Sequence, residues 1–95
     1  MNTKYNDPRL ETIVYGRIFK YKVTTNLDYY YNYTYHYNDK LFYDYKKIDK
    51  IDGYMVGKCF EVFIDPTNPS HSKMNLNKEI DCELYYVSFT TAGVP

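Results

Sequence analysis

The chain has 95 residues, room for one domain, and its 12 Lys and Arg are matched by 12 Asp and Glu. That balance excludes a bulk polycation that neutralises phosphates over its whole surface. Leu, Ile, Val and Phe supply only 22 residues, but there are 14 tyrosines, each able to bury a ring and keep its hydroxyl wet, so a folded domain with one modest core is expected.

Residues 1–10 read as a polar lead-in without the basic and apolar stretches of an export signal. No later run has the roughly 18 apolar residues that cross a bilayer. A cytoplasmic location is the expectation, with a mature exported domain as the alternative. Residues 12–23 (TIVYGRIFKYKV) form a first strand, with Ile13, Tyr15, Phe19, Tyr21 and Val23 on one parity and Arg17 the exception. Gly16 marks a bend or bulge in it.

Asn26 to Asp28 supplies a turn, and residues 29–37 (YYYNYTYHY) then alternate more strictly than anything else in the chain. Tyr29, Tyr31, Tyr33, Tyr35 and Tyr37 share one face of a half-buried strand; Tyr30, Asn32, Thr34 and His36 share the other. A third strand, residues 40–48, follows closely enough to make a hairpin. A two-residue turn at Asn38-Asp39 suits the positive φ of a type I′ turn and sets Lys40, Phe42 and Asp44 beside the tyrosine face. A three-residue loop would set Leu41, Tyr43 and Tyr45 there instead. Turn chemistry favours the first.

Residues 46–55 (KKIDKIDGYM) read as a loop, although Ile48, Ile51 and Met55 have the spacing of a single helical turn. Residues 58–65 (KCFEVFID) form another strand, with Phe60, Val62 and Ile64 inward. It ends at Asp65-Pro66-Thr67-Asn68-Pro69, where Asp65 can close an Asx-turn and Pro66 pre-sets the first turn dihedral. After a polar stretch, residues 80–90 (IDCELYYVSFT) are expected to form the last strand, before a frayed tail over residues 91–95. The fold class is all-β: about five mainly antiparallel strands in a small curled sheet or partly open barrel, one domain with its core in residues 12–90. Cys59 and Cys82 lack metal-ligand spacing and read as two buried free thiols, with a bridge as the alternative.

The segment Tyr54 to Pro69, with Val56-Gly57, Asp65-Pro66 and Asn68-Pro69, resembles a widespread bacterial family of uncharacterised β-rich domains often found beside transmembrane helices. Gly16, the aromatic hairpin Tyr31 to Tyr37 and Asn38 fall in the same order, so the resemblance covers about residues 12–74. Asp39 stands where the family usually has Gly, and this sequence has no membrane helix. The resemblance implies the fold and no chemistry.

Catalysis has little to build on. Only His36 and His71 can act as imidazole bases, neither lies in a nucleophile motif, and Ser70-His71-Ser72 reads as a solvated loop. Asp44, Asp49 and Asp52 lack calcium-loop spacing. No enzyme, cofactor or metal site is expected, and the sequon at Asn32-Tyr33-Thr34 means little without a secretory route. The candidate site is instead an interaction surface of Tyr29, Tyr31, Tyr33, Tyr35, Tyr37, Tyr43 and Tyr45, since tyrosine offers large contact area with few torsions to freeze. An interaction or accessory module follows, its partner a protein or a second copy joined at an open edge strand. Stacking on single-stranded nucleic acid is the alternative, with Lys20, Lys22, Lys40, Lys46, Lys47 and Lys50 near the rings but diluted by Asp28, Asp39, Asp44, Asp49 and Asp52. The Asn, Lys, Tyr and Ile richness of an AT-rich genome also fits a bacterial or phage protein that binds a host protein.

Overall fold

A computed structural model describes residues 8–93. Five antiparallel strands form one sheet: β1 (Thr12–Val23), β2 (Tyr29–Tyr37), β3 (Lys40–Ile48), β4 (Cys59–Asp65) and β5 (Asn68–Ile80), in the order β3-β2-β1-β4-β5. A 3-10 turn, Gly53–Met55, precedes β4, and a helix, α1 (Cys82–Gly93), follows β5. The expected all-β class and curled, unclosed sheet are therefore present, and the first three strands have the expected bounds. Residues 1–7 and 94–95 lie outside the described residues, so the lead-in and the tail are described only from Pro8 and up to Gly93.

Turn chemistry sets the register of the central hairpin. Asn38 and Asp39 both have positive φ, 51° and 64°, as a type I′ turn requires. Tyr37 pairs with Lys40, Tyr35 with Phe42 and Tyr33 with Asp44. Directly paired residues share a face, so Tyr43 and Tyr45, paired with Thr34 and Asn32, lie on the other face of the sheet from Tyr31, Tyr33 and Tyr35. The Asp65 turn also forms as expected, its Oδ1 accepting from Thr67 N at 2.9 Å and from the Thr67 hydroxyl at 2.6 Å.

Four expectations need correction. In β1 the inward residues before position 19 are Val14, Gly16 and Ile18; Gly16 opposes Tyr35 and Ile18 opposes Tyr33. The register then slips between Ile18 and Lys20, and Tyr21 and Val23 rejoin the tyrosine face opposite Tyr31 and Tyr29. Phe19 is thus the extra residue of a bulge, which reverses strand parity. Gly16 is not that bulge; it makes room for the side chains of Val62 and Met74.

The last strand is also displaced. The polar segment from Asn68 to Ile80 pairs with β4, bringing Ser72 opposite Ile64 and Met74 opposite Val62, while the β-prone residues after it coil into α1. Asp81 caps that helix by accepting from Glu83 N at 2.9 Å. Finally, Cys59 and Cys82 are bridged, with Cα atoms 5.2 Å apart. The pairing of β5 with β4 sets Ile80 opposite Cys59, and Cys82, two residues further on at the start of α1, is thereby brought within bridging distance.

The core lies on the inner, concave face, where Tyr31, Tyr33 and Tyr35 pack with Ile18, Phe60, Val62, Ile64 and Met74. Curling brings β5 towards β3: Ser72 hydrogen-bonds to Asp44, and the Tyr33 hydroxyl to Ser72 at 2.8 Å. On the outer face α1 covers parts of β1, β2 and β4, tied by the disulfide and by a 2.7 Å bond between Thr34 Oγ1 and the Tyr85 hydroxyl.

Candidate binding face

The seven candidate tyrosines separate into two sets. Tyr31, Tyr33 and Tyr35 are buried, and Tyr29 and Tyr37 half-buried, on the inner face. Burying a phenol requires a partner for its hydroxyl, and each of the three has one. The Tyr31 hydroxyl accepts from Asp52 N at 2.9 Å and donates to Asp52 O at 3.2 Å, pinning the loop before β4. Tyr35 donates to Pro69 O at 2.6 Å and stacks on Phe42 at 5.4 Å. Burial, and secondarily the carboxylate of Asp44, pushes the Tyr33 phenol far above its ordinary value; burial likewise raises Tyr35. These rings hold the sheet together and are closed to a partner.

Tyr43 and Tyr45 are 66% and 62% exposed on the outer face. Their neighbours are three of the lysines singled out in the sequence, Lys20, Lys22 and Lys47, together with Phe19, Tyr30 and Asn32, which sequence reasoning did not select. Cross-strand pairing sets Lys47, Tyr30 and Lys22 in one row and Tyr45, Asn32 and Lys20 in the next. Tyr30 and Tyr45 meet edge to face at 5.4 Å, and Phe19, swung outward by the bulge, meets Tyr43 in the same way at 6.0 Å. Lys20 Nζ sits 5.8 Å from the Phe19 ring centroid. The strict alternation of residues 29–37 was the available signal: it places Tyr30 and Asn32 together as firmly as it groups the odd-numbered rings.

Register also sorts the charges. Lys20, Lys22 and Lys47 face outward, whereas Lys40, Asp44 and Lys46 sit in the inner rows opposite Tyr37, Tyr33 and Tyr31. Asp39 is at the hairpin tip, and Asp49 and Asp52, like Lys50, lie past the end of β3. Of the five carboxylates that flank these lysines in sequence, only Asp28 borders the outer rows, 3.4 Å from Lys47. The face is consequently aromatic and cationic although the chain as a whole is neutral.

The other candidates stay apart. His36 and His71 are half-buried, on β2 and β5. Ser70 donates to Asn68 at 3.0 Å, and Ser72 belongs to the Asp44–Tyr33 network inside the fold. Among the described residues, no three His, Cys, Asp or Glu side chains cluster to hold a metal, and no helix is long and apolar enough to cross a membrane. The sheet edges are β3 and β5, so β1, the first strand, is central. Inward Asp44 and Lys46 on β3, and Pro69 on β5, are the features that discourage edge-to-edge pairing.

No family model matches the chain, and no curated protein or solved structure matches it either.

Proposed function

We propose that the chain is a non-catalytic binding module whose docking face is the outer surface of β1, β2 and β3. The observation that supports it is the exposed pair Tyr43 and Tyr45, each packed against a more covered ring, Phe19 and half-buried Tyr30, beside Lys20 and Lys22 on the part of the sheet next to α1. Large, stiff rings with polar tips make a docking surface at low entropic cost. Composition alone favours a protein partner; the sorting of lysines from carboxylates favours an anionic one. Self-association through a strand edge has less support, because both edges carry blocking residues. The Cys59–Cys82 bridge favours an oxidising setting over the cytoplasmic one. Kinship with the bacterial β-rich domains rests on the Val56-Gly57 and Asp65 to Pro69 segments, which here enter and leave β4.

Cross-linking the full chain in a lysate of its host, beside a Tyr43→Ser/Tyr45→Ser variant of matched circular dichroism, tests the face. The bound species should disappear with the variant. Capture that is indifferent to the two substitutions refutes the assignment.

A further inference from the structure

We infer that the cavity between Lys22, Thr24, Tyr30, Asn32 and Tyr45 is a subsite for one base of a single-stranded nucleic acid. This inference rests on the outer face being the docking face and names its partner. The cavity measures about 260 Å³, below the roughly 300–1,000 Å³ of sites that enclose a drug-sized ligand, so it suits one ring system and not a whole cofactor.

Three observations define the ring. Tyr30 and Tyr45, in direct edge-to-face contact, form one wall of the cavity, and the outer side of Tyr45 is open enough for a planar group to lie on it. Asn32 Oδ1 is buried and has no hydrogen-bond partner. Closed to solvent as it stands, this acceptor reaches a bound donor only when the half-buried Asn32 side chain turns into the cavity that it lines, and an unpaired buried acceptor gains by that turn. Lys22 lines the same cavity, with Lys20 and Lys47 in the flanking positions. The complement is a rigid aromatic group that carries its own N–H donor and is attached to negative charge. A nucleobase with an exocyclic amine, such as cytosine or adenine, on a phosphate backbone has all three properties in one unit. An acidic peptide supplies the charge but divides ring and donor between separate flexible side chains. In a duplex the base faces are already stacked on each other, which restricts the match to single strands.

The test is fluorescence anisotropy of the full chain with a labelled oligodeoxycytidylate of about twelve nucleotides. Its duplex and a labelled Asp/Glu peptide of equal length serve as comparisons. The single strand should bind at about 50 mM salt and lose affinity steeply by about 200 mM. Tyr45→Ala should weaken binding by roughly 5- to 150-fold, the range for losing one base–ring stack. Lys22→Gln should lower the salt slope by about one, and Asn32→Ala should weaken oligodeoxycytidylate binding. Tyr54→Ala, a highly exposed ring in the loop before β4, should change nothing. Absence of binding at low salt, or equal affinity for Tyr45→Ala and the parent, overturns the subsite. If the peptide binds in a Tyr45-dependent way and the oligonucleotide does not, the base subsite falls while the docking face stands. If host capture also ignores Tyr43 and Tyr45, the face falls as well.

Discussion

Gly16→Ala probes the packing on which the inner face depends. A Cβ at this position would lie 2.7 Å from Val62 Cγ2, 3.0 Å from Met74 Cε and 3.2 Å from Thr34 O, against the roughly 3.5–4.0 Å at which carbon atoms attract. The Met74 methyl ends a flexible chain and can swing away. Val62 is stiff at χ1 and packed on all sides, so the strand itself must shift. Overpacking of this kind costs about 1–3 kcal/mol, and replacing a strand glycine returns about 0.5–1 kcal/mol. The net loss should be ~1–2 kcal/mol, a fall in Tm of roughly 4–16 °C for a domain of this size. Val62→Ala alone leaves a void and should cost ~1–3 kcal/mol. Combined, the new methyl enters that void, so the double variant should be about as stable as Val62→Ala alone, a coupling of ~1–2 kcal/mol. Urea unfolding of the four proteins closes the cycle. Effects that add to within about 0.5 kcal/mol would falsify the placement of Gly16 against Val62 and, with it, the parity of β1 before the bulge.

Reduction of Cys59–Cys82, whose partners are 23 residues apart, should remove about 3 kcal/mol in the chain-entropy model and reduce the helical signal in circular dichroism; an unchanged Tm in reductant contradicts the staple. The Thr67 hydroxyl, then the Thr67 N–H, hold the Asp65 carboxyl below its ordinary value. Its stabilisation is therefore complete above about pH 4 and lost as pH falls through the lower folded value. The gap in stability between the parent and Asp65→Asn should narrow in acid, and a gap constant from pH 6 to about pH 2 refutes the turn's role. Burial raises the phenols of Tyr33, Tyr35 and Tyr85, so stability is present below about pH 10 and declines above it. Phenolate absorbance should rise in two stages, the exposed rings first and the buried ones only on unfolding; a single early rise would count against their burial.

Local signals carried much of this fold. Alternation in Tyr29–Tyr37, the Asn38-Asp39 pair and the Asp65-Pro66 turn each act within a few residues, and the structure follows all three. The misread parity of β1 came from Phe19, because a bulge is visible only once the opposing strand is known. Residues 80–90 carry β-branched and aromatic side chains, yet β4 already pairs with the polar segment before them, whose Met74 and Leu76 reach the core. Tertiary pairing thus outweighed strand propensity, and Asp81 followed by Glu83 was the overlooked helix start. The candidate site was legible only by halves. A row of tyrosines on one face can be core or contact surface, and only curling of the sheet makes it core. Segregation of Lys20, Lys22 and Lys47 from Asp44 depends on pairing register, which net charge does not express.

Residue-resolved nitration of tyrosine, read by mass spectrometry on the native chain, tests the division between inner and outer faces most directly. Tyr43, Tyr45 and Tyr54 should react quickly, while Tyr31, Tyr33 and Tyr35 should stay protected until the protein unfolds. Reaction of Tyr33 or Tyr35 at the rate of Tyr45 in the folded protein would contradict it.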